Sequence, residues 1–192
     1  MSPAKFIPAV ALALALLALG CGGGGDEDEI TDAIQTSATS NDPSNCTELE
    51  TQAFVEQTEF AKGEEAIDSC KEADETASAD SVEVENIEID GEQATADATF
   101  EGSTFDGQTL TIALVKEDGP WKLDEITRFN DFDKQAFLDA FERSLTAPPD
   151  PLTDEQAGCI VRFLGRSEDK KLQAVLLGGD PEPLQTLFGL CA

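Results

Sequence analysis

Apolar residues recur with a helical period over residues 30–38 and again over residues 47–61. The turn cluster between them contains Pro43, which cannot continue a helix. Gly63 ends the second predicted helix, and residues 64–73 predict a third, shorter one. The first half of the chain is therefore predicted to begin with three helices.

The period changes to two at residue 82. Residues 82–89 alternate apolar with acidic side chains, and one slip near Glu85 predicts a β-bulge. The dipeptide Asp90-Gly91 favours a tight hairpin turn. Three further strands are predicted, at residues 94–100, 110–115 and 121–126. Together these runs predict a strongly curved, four-stranded antiparallel meander.

The helical period returns over residues 133–145, and a Pro-rich linker follows at residues 146–152. Residues 153–192 predict a small helical module, which opens with a capping box of Thr153 and Gln156. About forty residues are too few to be stable without a covalent staple. The predicted fold class is α+β: N-terminal helices packed on a curved antiparallel four-stranded sheet, plus a small C-terminal disulfide-stapled helical module.

The N-terminus has the pattern of an export signal. Lys5 precedes an unbroken apolar run over residues 6–19, which is too short to span a bilayer and typical of a secretory signal. The run ends in LALGC at residues 17–21, which resembles a bacterial lipobox with Ala18 in place of the usual Leu. The resemblance implies a signal peptide over residues 1–20, cleavage between Gly20 and Cys21, and a lipid on the Cys21 thiol. The alternative is an ordinary secretory signal.

Four glycines and four acidic residues follow Cys21, over residues 22–29. Glycine is conformationally free and a run of like charges repels itself, so residues 21–29 are predicted to be a solvated tether. Its maximum reach is near 30 Å at roughly 3.5 Å per residue. The acids lack the alternating spacing of a calcium loop. The tether is expected to hold residues 30–145, the main folded domain, away from a membrane.

The formal net charge of −28 would repel phosphate backbones, so nucleic acid is excluded as a partner. The chain contains no His, the commonest general acid/base and transition-metal ligand. A Ser-His-Asp triad is therefore impossible. We expect no metal and no cofactor.

Four cysteines lie beyond the lipobox, and an even number in an exported chain predicts disulfides. Three pairings are possible. Local organisation favours Cys46–Cys70 and Cys159–Cys191, because each pair brackets one helical segment. Each loop would be stabilised by roughly 3–4 kcal/mol in the chain-entropy model. Cys21 is then the one cysteine without a partner, which supports its lipidation.

Several segments resemble exported nuclear-transport-factor-2-like proteins of actinobacterial type, a superfamily that includes SnoaL-like cyclases and ketosteroid isomerases. The segments are NDPSNCTEL at 41–49, FVEQ at 54–57 before Cys70, IDGEQA at 89–94 and LVKEDGPWKL at 114–123. The resemblance covers residues 30–145. It implies a cone in which helices and a bent sheet enclose a pocket, with Trp121 as a structural plug between sheet and helices. Because the superfamily includes members without chemistry, the fold does not decide the function.

The sequence favours a non-catalytic cell-envelope lipoprotein, anchored through Cys21 to the outer face of the membrane. Its domain is expected to bind either a small apolar ligand or another envelope protein. One alternative is an isomerase- or cyclase-like enzyme that uses a pocket carboxylate, for which Asp97 and Asp124 are candidates. Both alternate with apolar neighbours and are expected to face solvent. Another alternative is a structural envelope protein, whose interior would be filled by Phe and Leu.

We expect the substitution Cys21→Ser to release the protein from the membrane, because the thiol that accepts the lipid is removed. Immunoblots of membrane and soluble fractions measure this. Gly22→Ser is the matched control, since it changes the neighbouring residue and leaves the thiol. Retention of the Cys21→Ser protein in the membrane fraction contradicts the assignment.

Overall fold

The chain forms helices, then a sheet, then helices again. The computed structural model describes residues 23–72, 78–117, 119–147 and 151–191. The predicted signal peptide and the lipobox, with Gly20 and Cys21, lie outside these residues. The helices before the sheet are α1 (Gly23–Thr39), α2 (Asn45–Glu48), α3 (Gln52–Thr58) and α4 (Glu64–Glu72). Within the described ranges, no helix combines the length and apolar character needed to cross a membrane.

The sheet has four antiparallel strands in the order of the sequence and is not closed. The strands are β1 (Ser81–Asp90), β2 (Gln93–Glu101), β3 (Thr109–Lys116) and β4 (Trp121–Phe129). The register of β1 against β2 shifts between Glu85 and Glu88, which confirms the predicted bulge. Gly91 turns the first hairpin with a φ of 67°. The predicted combination of helices with a four-stranded antiparallel meander is confirmed.

In the described residues after the sheet there are four helices: α5 (Lys134–Leu145), α6 (Asp154–Gly165), α7 (Asp169–Gly178) and α8 (Pro181–Cys191). The capping box at the start of α6 is present, with Thr153 and Gln156 bonded reciprocally. α6 packs on α5, and α7 contacts α3 and β4. Buried Ile160, Leu172 and Leu184 belong to the same hydrophobic cluster as the sheet. The C-terminal helices therefore share one core with the sheet.

Both favoured disulfides are present. Cys46–Cys70 joins α2 to α4 with a Cα–Cα distance of 6.1 Å. Cys159–Cys191 joins α6 to α8 with a Cα–Cα distance of 5.8 Å. The predicted pairing is confirmed, and each bridge links two helices of the same half of the chain.

The predicted tether is wrong for residues 23–29, which form the first turns of α1. Acidic side chains are favourable at this end because they face the positive end of the helix dipole. The Asp26 carboxylate pairs with the Lys116 ammonium at 2.5 Å and accepts a hydrogen bond from the Trp121 indole at 3.1 Å. These two bonds attach the start of α1 to the β3–β4 hairpin, so the acidic run is partly docked.

The single helix predicted over residues 47–61 is also wrong, because α2 and α3 are separated at residues 49–51. The Leu123 N–H donates to the Leu49 carbonyl at 2.8 Å, and the Thr51 N–H donates to the Leu123 carbonyl at 2.9 Å. The segment thus forms a short parallel bridge along the outer edge of β4. Thr51 then starts α3 by accepting a bond from the Phe54 N–H.

Buried Gln57 connects three elements. Its side-chain amide donates to the carbonyls of Ile126 in β4, at 2.9 Å, and Leu177 in α7, at 2.6 Å. Its carbonyl accepts from the Ile126 N–H at 2.7 Å. Gly179, at a φ of 57°, ends α7 against the Gln57 backbone, where a Cβ would come within 2.9 Å. One amide therefore fixes α3 and α7 to the sheet.

We expect Gln57→Ala to lower the free energy of unfolding by roughly 2–4 kcal/mol, because it leaves buried backbone groups without partners. Urea denaturation followed by circular dichroism measures this. Gln52→Ala is the matched control: Gln52 is an exposed glutamine on the same helix, and its loss should change stability by less than about 0.5 kcal/mol. Equal effects of the two substitutions would refute the connecting role of Gln57.

Candidate functional site

A cavity of about 380 Å³ lies between one face of the sheet and the helices that cover it. Its walls are mainly apolar and include Phe100, Leu110 and Ile112 of the sheet, Ile34 of α1, Phe54 of α3, Phe137 of α5, Leu176 of α7 and Leu184 of α8. Asn41 and Asp42 also line it and are exposed, so they mark its opening. The interior is therefore not filled by side chains.

Glu50 places a carboxyl group in this apolar cavity. Only 8% of Glu50 is exposed. The bridge to Leu123 holds its backbone at the edge of β4. The Ser37 hydroxyl on α1 donates to Glu50 Oε1 at 2.6 Å. Among the described residues, no Lys or Arg side chain lies within ion-pair distance of it. Glu50 is thus buried with a hydroxyl partner and without a counterion.

Burial raises the pKa of Glu50 from its ordinary value of 4.5 to about 7. The hydrogen bond from Ser37 opposes this rise, and the negative charge of Glu59 adds to it. Glu59 also lines the cavity, and burial raises its pKa as well. The cavity therefore contains a carboxyl group that changes charge near neutral pH, where such a group can transfer a proton or bind a cation.

The Cys46–Cys70 disulfide lies beside Glu50. Cys70 Sγ is 3.8 Å from Glu50 Oε2, but a disulfide sulfur has no proton to donate. The two sulfurs and a carboxylate oxygen lie within 4.8 Å of one another, which is a spacing that metal ligands can have. Because both sulfurs are bonded to each other, the oxidised protein offers no thiolate here. In this state the disulfide serves as a wall of the cavity.

The carboxylates considered from the sequence, Asp97 and Asp124, do not line the cavity. Asp97 lies on the opposite face of β2 from buried Ala96 and Ala98. Burial acts to raise the pKa of Asp97, but hydrogen bonds from Thr111 and other polar neighbours outweigh it and hold the pKa below its ordinary value. Asp124 accepts a bond from Thr51 at 2.9 Å. Neither is placed to act on a molecule in the cavity.

Trp121 is 2% exposed and packs in the hydrophobic core. Its indole N–H bonds to Asp26, and the Lys116 ammonium lies 5.3 Å from the centre of its ring. It does not line the cavity. The contacts of Trp121 are therefore with the start of α1 and its own hairpin.

Sequence reasoning missed Glu50, because it fell inside a predicted helix among other acids. A weak signal was present: Thr51 is a favoured N-cap residue, and a helix that starts there must break before it. The spacing of Cys46 and Glu50, one helical turn apart, added no information on burial. The Glu50 side chain faces the cavity because its backbone pairs with Leu123, and the sequence does not indicate this pairing.

Comparison with known proteins gives no assignment. No family model matches the chain, and no curated protein or solved structure matches it. The cavity and the environment of Glu50 are therefore the basis for a functional proposal.

We expect Glu50 to lower the stability of the protein as the pH rises from about 4.5 to about 7, and Glu50→Gln to remove this contribution; Glu59, whose pKa burial also raises, keeps its own. The folded state keeps the Glu50 proton up to a pKa of about 7, whereas the unfolded chain releases it near 4.5. The stabilisation is therefore complete below pH 4.5 and absent above pH 7. The difference corresponds to roughly 3 kcal/mol.

Urea denaturation over this pH range compares the wild type, Glu50→Gln and the control Glu48→Gln, which changes an exposed residue of α2. Above pH 7, Glu50→Gln should be the most stable of the three. Parallel pH profiles of wild type and Glu50→Gln would contradict the pKa assignment.

Proposed function

We propose that this protein is an extracytoplasmic lipoprotein, anchored through a lipid on Cys21, which binds a small and largely apolar ligand. In this proposal its fold is the cone of the nuclear-transport-factor-2-like superfamily, and the ligand occupies the space between sheet and helices. The observation that carries the proposal is the apolar cavity with the Glu50 carboxyl group inside it.

The size and chemistry of the cavity support binding over a purely structural role. Ligand pockets have volumes of about 300–1,000 Å³, apolar walls and a few polar groups that orient the ligand. The cavity of about 380 Å³, with Glu50 and Ser37 on an otherwise mainly apolar wall, has these properties. A protein that serves only as an acidic spacer has no need of an unfilled interior. An isolated buried carboxyl group would only destabilise it.

The two disulfides are consistent with an extracytoplasmic location. Since α1 begins at Gly23, only Gly22 separates the proposed lipid attachment site from the helix. Ser37 lies fourteen residues further along α1, about 21 Å along the helix axis. In the anchored protein, the cavity would then lie close to the outer face of the membrane, where apolar molecules concentrate.

The raised pKa of Glu50 favours a second candidate function, an enzyme that transfers a proton within an apolar substrate. In that case Glu50 would be the general base. The observation that distinguishes the two is Glu50-dependent exchange of deuterium into a small apolar ketone. Exchange that is lost in Glu50→Gln would support the enzyme over the binding protein.

We expect the wild type to bind the uncharged dye N-phenyl-1-naphthylamine, whose fluorescence rises in an apolar site. Ala38 lines the cavity, so Ala38→Trp should fill part of it and weaken binding about tenfold or more. Ala53→Trp places the same side chain on the exposed face of α3 and serves as the control. Absence of dye binding by the wild type, or equal binding by both variants, rules out the cavity as the site.

A further inference from the structure

The charged residues that line the cavity are acidic. Three acidic residues line it, namely Asp42, Glu50 and Glu59. In the described part of the chain, no Lys or Arg lines it. A molecule that enters the cavity therefore meets negative charge that no Lys or Arg in the described part of the wall compensates.

The apolar wall is rich in aromatic rings. Six phenylalanines line the cavity: Phe54, Phe60, Phe100, Phe105, Phe137 and Phe141. The faces of aromatic rings carry partial negative charge and attract cations, including quaternary ammonium groups. The rings also offer apolar surface to the hydrocarbon part of a ligand. The wall thus accepts an organic cation better than a hydrated inorganic ion.

We infer that the ligand is a hydrophobic monocation, an amine or a quaternary ammonium compound, whose charged group lies against Glu50 and whose hydrocarbon part lies among the phenylalanines. The inference rests on the proposed function and specifies its ligand class. A neutral ligand would leave the Glu50 carboxylate without a counterion, and an anionic ligand would bring two negative charges together in an apolar site. A monocation supplies the missing counterion.

The groups around Glu50 determine how binding depends on pH. α1 presents the Ser37 hydroxyl, α4 presents Cys70 as a disulfide sulfur, and β4 presents the apolar Leu123. The charged groups that line the same cavity are Asp42 and Glu59, both acidic. No neighbouring base therefore competes with a cationic ligand among these residues. A bound cation stabilises the ionised form of Glu50, so binding below pH 7 must release a proton.

Benzyltrimethylammonium and its uncharged isostere neopentylbenzene test the inference, since they share shape and differ in charge. Each compound is titrated against wild-type protein carrying N-phenyl-1-naphthylamine, and displacement of the dye is measured from pH 5.5 to 8. At pH 8 the cation should bind about tenfold or more tightly than the isostere. This preference should decline as the pH falls through about 7. Calorimetry in two buffers at pH 6 should detect release of about one proton per bound cation.

Glu50→Gln should lose most of the preference for the cation and the dependence of that preference on pH, whereas the control Glu48→Gln should retain both. Dye binding without a preference for the cation overturns the inference and leaves the proposed function intact. A preference that is undiminished in Glu50→Gln also overturns it, because the cation is then bound by groups other than Glu50. Absence of dye binding refutes the proposed function itself, and the inference falls with it.

Discussion

The pairing of residues 49–51 with Leu123 is the contact on which the site depends. Two backbone hydrogen bonds to Leu123 interrupt what would otherwise be a continuous helix, and they place Glu50 beside the outer edge of β4, where its side chain lines the cavity. On one side of the break, α2 carries Cys46 to its bridge with Cys70 on α4. On the other side, Thr51 caps α3, and its hydroxyl donates to Asp124. The short segment also covers part of the exposed edge of β4, an edge that would otherwise be free to pair with another chain. One extended segment thus fixes two helices, a wall of the cavity and the position of its buried acid.

The features that the sequence predicted correctly are those determined by residues close together in the chain. Alternation over residues 82–89 and the Asp90-Gly91 turn define the first hairpin, and a slip in the alternation located the bulge. The disulfide pairing was also predicted correctly, because each bridge joins cysteines that are neighbours in the sequence, although each loop contains three helices rather than the one helical segment expected. The break before Thr51 was missed because the partner of the segment lies more than seventy residues further along the chain. The helical periodicity of residues 47–61 does not indicate the pairing with Leu123. In the sequence, Glu50 is not distinguished from the other acidic residues.

At the start of α1, too, a contact with residues far away in the sequence could not be predicted. Four glycines followed by four acids have the composition of a solvated spacer, and glycine lowers the stability of a helix. The structure instead extends α1 to Gly23, where Asp26 bonds to Lys116 and Trp121 of the distant β3–β4 hairpin. The expected tether with a reach near 30 Å is thereby shortened to the residues before Gly23. If Cys21 carries the lipid, as proposed, α1 holds the rest of the protein close to the membrane rather than away from it. The acidic run then acts as a contact of the fold as well as a source of solubility.

Stability does not explain why Glu50 is buried without a counterion, because burial of an unpaired carboxyl group destabilises a fold. Two simple changes would remove the penalty: an amide in place of the acid, or a basic residue among the cavity walls. Position 50 is an acid, and the described part of the cavity wall has no basic residue, although Lys116 pairs with Asp26 and Arg143 with Asp106 elsewhere. Buried titratable groups that are left without a charged partner are more frequent at binding and catalytic sites than in ordinary cores. A cationic ligand would bind more tightly here than to an exposed carboxylate. The cost of removing the carboxylate from water is met when the protein folds, so it does not reduce the free energy of binding. The free energy of unfolding, the pKa of Glu50 and the affinity for the ligand would then be coupled through the Glu50 side chain. All three would depend on the apolar environment of its carboxyl group.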